Sequence, residues 1–260
     1  MLRALYTAAT GMYAQQLNVD VIAHNLSNVN TTGYRRSRVE FRDLAYDVIR
    51  PEVAGGPPAG YQVGHGVVPL STPKSFRQGN LEQTERDLDL AIEGRGFFQV
   101  RLPDGTTGYT RDGSFELSSN GRIVTQDGNE LVLRGSATIP ADAERITVDK
   151  DGTVWVLTGA SSTPTQLGTI ELAFFRNPAG LESRGGNVMV ATVASGQPTT
   201  ASPGSRGAGV VLQGYLERSN VQVLEEMVGL ITAQRAYELN SKVVSASDEM
   251  MGITNNVRRG

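Results

Sequence analysis

The sequence predicts an α+β fold: a discontinuous coiled-coil domain made by N- and C-terminal helices, an extended connecting region, and a central all-β domain. Three features predict it. Apolar residues recur seven apart at both ends of the chain, Asp-Gly or Asn-Gly pairs recur about every eight residues in the middle, and Gly/Pro-rich stretches separate these regions. The boundaries fall at 1–34, 35–75, 76–214 and 215–260.

In the N-terminal segment, Leu5, Met12, Val19 and Leu26 hold one seam position, and Ala8, Gln15, Ile22 and Val29 the second. The helix is expected to stop at Asn30-Thr31-Thr32-Gly33, because glycine supplies the left-handed conformation that ends helices. Next, Arg35, Arg36, Arg38 and Arg42 are opposed by Glu40 and Asp43. This run reads as a solvated basic face or as a contact with acidic surfaces of neighbouring chains. Residues 51–66, PEVAGGPPAGYQVGHG, read as an extended loop or hinge-like insertion. Short strands follow, with a turn expected at Gly79-Asn80.

In the middle, Asp104-Gly105, Asp112-Gly113, Asn120-Gly121 and Asp127-Gly128 are flanked by alternating apolar residues, the signature of a hairpin series. Asp151-Gly152 is a further turn, and Trp155 is expected in the β-core. Residues 202–209, SPGSRGAG, lead back toward the closing segment.

That segment, 219–251, carries Val223, Leu230, Tyr237, Val244 and Met251 seven apart, with Met227 half a heptad after Val223. Gln234, Ser241 and Asp248 fill the second seam position, so the stripe is narrow and interrupted. Such a helix would be roughly 50 Å long, more than the chain's own globular part can cover. The two ends are expected to pair, with Leu5, Met12, Val19 and Ile22 against Val223, Met227, Leu230, Tyr237 and Val244, and with Gln15 and Gln234 fixing register.

Bulk numbers narrow the function. At 260 residues, 39% hydrophobic and 20% charged, the chain can build a sizeable core. A net charge of −3 argues against nucleic acid as a partner, and the absence of cysteine removes disulfides and thiolate chemistry. Thr7, Thr10, Gly11, Gln15, Gln16 and Asp20 break up the apolar start too early for a secretory signal, so any export is expected to proceed without a cleaved leader. No run approaches the 18 or so apolar residues of a membrane span.

Chemistry finds little support. His24 and His65 stand without neighbouring ligands in sequence. Asp149-Lys150-Asp151-Gly152 fails as a calcium loop, since Thr147 and Thr158 fall where carboxylates are required. Gly94-Arg95-Gly96 and Gly207-Ala208-Gly209 lack the third glycine of a dinucleotide site. Asp87, Asp89 and Glu93 read as a charged edge strand in preference to an acid pair. The expectation is a protein that is no enzyme, with no cofactor, metal or small-molecule substrate.

Residues 20–34, DVIAHNLSNVNTTGY, resemble the N-terminal signature of the bacterial flagellar rod and hook proteins, with Asn25, Asn28, Asn30, Thr31, Gly33 and Tyr34 at its motif positions. Residues 219–250 resemble the C-terminal signature of the same family. GNLEQTERDLDLAIEGRGFFQV, LPDGTTGYTRDGSF and QGYLERSNV are similar to the distal rod members of the basal-body rod family, as is the length. The segment after Tyr46–Arg50 sits where those members carry an insertion that the hook protein lacks.

The resemblance implies a structural axial subunit that leaves through the flagellar export apparatus and polymerises into a rigid hollow shaft. It implies terminal helices around the export channel, other rod subunits below, hook protein above, bushing rings of the cell wall and outer membrane around, and a place spanning the periplasm. A hook or proximal rod subunit shares both terminal signatures. A binding module dimerised through its coiled-coil ends is the alternative of another class.

Overall fold

The computed structural model describes residues 2–50, 60–135, 138–159, 163–205 and 207–257. By internal contacts the chain divides into two compact units, one formed by residues 1–27, 37–74 and 222–260, the other by 28–36 and 75–221.

The first unit is built on two helices, α1 at Leu2–Ser27 and α2 at Val223–Val257. They run antiparallel. A β-carbon on Gly11 would stand 3.0 Å from Asn240, one on Gly229 would stand 3.4 Å from Ile22, and Asn25 bonds Glu226. Glu225 and Glu226 in the first turn of α2 favour its positive end.

α2 begins later than the sequence suggests and runs six residues further, to Val257. Residues 219–222 are not helical because Asn220 is used elsewhere, within the second unit. Its Oδ1 accepts the Arg36 N–H at 2.7 Å, and its Nδ2 donates to the carbonyls of Ser75 and Arg77.

Two antiparallel ribbons complete this unit: Glu40–Asp43 with Val67–Ser71, and Tyr46–Arg50 with Tyr61–Gly64. The expectation of a loop over 51–66 is thus corrected at 61–64, a strand whose pairing no local periodicity announces; residues 51–59 lie outside the described residues. Along α1, Thr10 presses so closely on Gly66 that a β-carbon there would come within 2.2 Å of its hydroxyl.

The second unit is all β. Among the described residues, a nine-stranded sheet runs in the order Glu182–Gly185, Val188–Val190, Thr107–Thr110, Phe97–Arg101, Glu130–Leu131, Ile123–Thr125 and Phe115–Leu117. Leu172–Phe174 joins it at Phe97–Arg101 and carries Thr199–Ala201 at its other edge. A four-stranded sheet orders Leu133–Gly135, Thr165–Ile170, Thr153–Thr158 and Ala143–Val148.

Two strand pairs close the unit: Leu90–Glu93 with Val210–Gln213, and Leu81–Gln83 with Tyr215–Glu217. Leu90, Ile92, Phe98, Val100, Phe115, Ile170 and Val211 centre the main core, while Phe97, Tyr109, Phe175 and Met189 form a second cluster. Alternation along Phe97-Phe98-Gln99-Val100 sends successive side chains to opposite faces, so one strand feeds both.

Three of the four expected central turns form, at Gly105, Gly121 and Gly128, each with φ between +72° and +81° and each joining paired strands. Gly152 turns in the same way between Ala143–Val148 and Thr153–Thr158.

Asp112-Gly113 is different. The strands on either side of it do not pair, and Gly113 is needed for close approach: a β-carbon would fall 1.6 Å from the Leu90 carbonyl. Gly79-Asn80 is likewise no turn, since Gly79 lies against the Arg218 carbonyl, which a β-carbon would meet at 2.0 Å.

Trp155 is half-buried outside the core, its Nε1 donating to Asp149 at 2.8 Å. Of the three acids expected on a charged edge strand, Asp89 is sealed just before Leu90–Glu93, near Arg86 at 3.9 Å, while Asp87 and Glu93 are exposed and that strand has one ladder partner among the described residues.

Candidate assembly interface

The helix pair meets through small and polar side chains. Ala8, Ala14, Ile22 and Asn25 are the buried residues of α1, and Glu226, Ala233 and Ser247 those of α2, with Asn240 half-buried between them. Glu226, Ala233, Asn240 and Ser247 are themselves seven apart. Close approach of two backbones requires such residues where they cross, and the apolar heptad read from sequence falls to one flank.

Leu5, Met12, Gln15, Val19, Leu26, Leu230, Val244 and Met251 are half-buried, whereas Val223, Met227, Gln234 and Tyr237 are exposed. Gln15 and Gln234, expected to fix register, lie outside the buried centre of the seam, where other polar groups meet. Asn25 Nδ2 donates to Glu226 Oε2 at 3.1 Å, and Gly11 admits Asn240.

At 100° per residue, Leu224, Val228, Ile231 and Ile253 lie on the side of α2 turned away from that seam, with Leu239 and Met250 on its flank, and all are exposed, Leu224 by 76%. Leu2, Tyr6 and Tyr13 lie on the outer side of α1 and are exposed as well. Tyr46, Val48, Ile49 and Tyr61 are open on the ribbon, whose alternation puts apolar groups on both faces. Isolated apolar residues on a surface mean little, but aligned stripes of this kind mark interaction surfaces.

The motif residues serve as ties. In the first unit Asn25 exchanges bonds with Ser37: Nδ2 donates to its carbonyl at 2.7 Å, and the Ser37 N–H donates to Oδ1 at 2.9 Å. In the second unit the Thr31 hydroxyl donates to Asn28, and Gly33, at φ +67°, donates its N–H to the Glu217 carbonyl at 2.8 Å. Tyr34 is buried, and Asn30 is exposed beside a polar hollow of about 320 Å³ shared with Asp112, Asp127 and Asn187.

The basic run does not act as one face. Arg35 is 2% exposed, and its Nη2 lies 2.7 Å from Glu217 Oε1. Arg111 reaches Glu217 Oε2 at 3.2 Å and donates from Nη2 to the Gly94 carbonyl at 2.6 Å. Arg35 is therefore an internal brace, neither a solvated charge nor a contact for another chain. Arg36 is half-buried, Arg38 is exposed beside Glu40 at 2.8 Å, and Arg42 is exposed.

Burial pulls the Arg111 guanidinium down to about 10, with Glu217 opposing and the nearby Arg35 adding to the fall. Sequence reasoning missed Glu217, Arg111, Glu226 and Asn240, whose partners lie far along the chain. For the seam residues, the shared seven-residue spacing was the available signal.

His65 lies 3.3 Å from Asp47, which also holds Arg3 at 2.8 Å. Among the described residues no group of three or more His, Asp or Glu is placed to hold a metal ion, and no helix is long and apolar enough to cross a membrane.

Three family profiles match the chain: "Flagella basal body rod protein" over residues 5–35, "Flagellar hook protein FlgE/F/G D1 domain" over 91–156, and "Flagellar basal body rod FlgEFG protein C-terminal" over 212–257. The flagellar basal-body rod protein FlgG of Borreliella burgdorferi is 48% identical, with both chains covered in full. The chain belongs to the flagellar basal-body rod protein family.

The Caulobacter vibrioides FlgG is 46% identical over 99% of this chain and all of its own, and that of Bacillus subtilis is 36% identical over the whole of both. These full-length matches agree with the distal rod resemblance of the terminal and central motifs. Rod proteins are structural, and this chain is a structural component of the basal body that self-assembles within the rod. The helix pair and its open faces correspond to the two terminal profiles, and the central profile covers strands of the β unit.

Proposed function

We propose that this chain polymerises into the distal rod as a rigid, hollow drive shaft that transmits torque and encloses the export channel. The observation that carries this reading is the exposed apolar side of α2, opposite the small-residue seam with α1. Neighbouring copies cover it, together with the Leu2-Tyr6-Tyr13 face of α1. A tube that grows without closing needs unlike faces that repeat head to tail.

In this reading Val223, Met227, Gln234 and Tyr237 meet neighbouring copies. The half-buried Leu5, Met12, Gln15, Val19, Leu26, Leu230, Val244 and Met251 flank the contact, and Ile22 anchors the pair within each subunit. The helices with residues 37–74 form the assembling unit, and residues 28–36 with 75–221 form the β unit. Asn25, Asn28, Asn30, Thr31, Gly33 and Tyr34 hold the exit of α1 in its assembled geometry. Arg42, and Arg38 in exchange for Glu40, pair with acidic neighbours, a contact that weakens with salt.

The subunit crosses the periplasm after passing the export apparatus without a cleaved signal. It joins other rod subunits below and hook protein above, and turns inside the bushing rings of the cell wall and outer membrane. It catalyses nothing and binds no nucleic acid, cofactor or small-molecule substrate. The ribbon at 46–50 and 61–64, with the segment between, interlocks adjacent subunits and keeps the shaft straight.

Replacing Leu224 and Ile231 with Asp tests the reading. Circular dichroism of the purified subunit should match wild type, while cells lose complete rods by electron microscopy and stop swimming. Normal motility in that variant would sink it. Deleting 51–66 should give curved rods, and straight ones would reduce the segment to a linker.

A further inference from the structure

A groove of about 580 Å³ opens on the β unit, floored by Phe76, Phe97, Phe174 and Phe175 and headed by Arg95 and Arg111. Phe97 sits edge-on between Phe76, at 5.7 Å, and Phe175, at 5.9 Å, and the Arg111 guanidinium lies 5.5 Å from the centre of its ring. The Gly94-Arg95-Gly96 turn, unsuited to a dinucleotide, forms one wall. Its glycines take φ of +109° and +132°, and a β-carbon on Gly96 would crowd Leu172 and Phe174.

Charge is unbalanced here. Arg111 shares the single carboxylate of Glu217 with Arg35, so two buried guanidiniums face one anion. Arg111 Nε is buried without a hydrogen-bond partner. Arg95 adds an exposed cation at the rim, and none of the described residues lining the groove is acidic.

We propose that this groove receives an acidic side chain, with the apolar residue beside it, from a second copy of the chain. The proposal rests on the reading of the chain as a self-assembling subunit. Complementarity supports the choice of occupant: the groove is cationic, while the chain carries 27 acidic residues and a net charge of −3. The carboxylate meets Arg95 and Arg111, whose only anionic partner is shared with Arg35, and the apolar neighbour covers the phenylalanine floor. The contact is heterologous, since receptor and insert are different surfaces, as an open polymer requires.

The chain has no cysteine, so Thr199→Cys places a single thiol on the exposed strand that borders the groove. Maleimide should label it at least tenfold more slowly in polymer of the chain alone than in monomer, and Arg95→Glu in the same background should return most of the lost rate. A second variant, Thr199→Trp, fills the groove from its rim. It should keep the monomer's circular dichroism and lower polymer yield tenfold or more.

Labelling at the monomer rate in polymer, or wild-type polymer yield from Thr199→Trp, overturns the proposal. Protection confined to intact basal bodies, absent from polymer of the chain alone, makes the occupant another protein and overturns it equally. If the wild-type chain forms no polymer, the rod reading itself fails, an outcome distinct from the others.

Discussion

The guanidinium of Arg35 stands 2.7 Å from the carboxylate of Glu217 with both side chains sealed from water, tying the segment after α1 to the strand that precedes α2. Glu217 also accepts from the Gly79 N–H at 2.8 Å and from Arg111 at 3.2 Å. Glu217→Gln therefore strands two buried cations and should cost about 3–5 kcal/mol. Arg35→Met leaves a neutral Arg111–Glu217 pair and should cost about 1.5–3 kcal/mol, the value of the lost charged hydrogen bonds. Urea unfolding checks the order, and an Arg35→Met variant weaker than Glu217→Gln would remove Glu217 as the hub.

Asn25 and Glu226 place a polar bond in the helix seam, both side chains being 1% exposed. Asn25→Ala should cost about 1–3 kcal/mol by leaving the buried carboxylate short of a donor. Replacing both with Leu should recover that stability while loosening the register that the bond sets. Thermal melts of the helical signal report the first effect, and disulfide trapping between cysteines introduced at positions 11 and 240 reports the second.

Gly105 and Gly113 look alike in sequence, each following Asp, yet they should respond differently to alanine. At Gly105 nothing stands within 4 Å of the added carbon, so the cost is the left-handed conformation alone, about 1–2 kcal/mol. At Gly113 the carbon falls inside the Leu90 carbonyl, and the strand it seats must move. Gly113→Ala should abolish cooperative unfolding of the β unit by calorimetry, and a mild loss there would refute the close approach.

Acid should weaken the turns. The Thr153 N–H and then its hydroxyl hold the Asp151 carboxyl below its usual 3.8, and the Thr106 hydroxyl and N–H do the same for Asp104. Because the folded values are depressed, this stabilisation is full above about pH 3.8 and is lost as pH falls through the lower folded values. Asp151→Asn should flatten the fall of the melting temperature below pH 4 or so. An unchanged slope would assign acid sensitivity to other carboxylates.

Much of the fold was legible because its signals are local. Glycines that need positive φ announced the turns at 105, 121, 128 and 152, and heptad spacing announced both helices. What escaped depends on distant partners. Arg35 belongs to a run that looks solvated until Glu217 is placed beside it, and Gly113 is set apart from Gly105 by its approach to Leu90 and by the lack of pairing between its flanking strands. In the seam, apolar periodicity drew attention to Val223 and Tyr237, while Glu226, Ala233, Asn240 and Ser247 repeat at the same spacing with side chains too small or too polar to register as a stripe.

α2 turns its modest side to α1 and keeps Leu224, Val228 and Ile231 in water. Folding a lone subunit thus releases only part of the hydrophobic free energy that the sequence holds, and the rest, about 1.5–3 kcal/mol for each such side chain fully covered, is released when copies dock. Growth at a tip is then steeply downhill and loss from the middle is slow, so a polymer of this chain should outlast by far the subunits that built it. The same stripes make the free subunit prone to clump, and a cell that produces it gains by keeping its concentration low until the moment of addition.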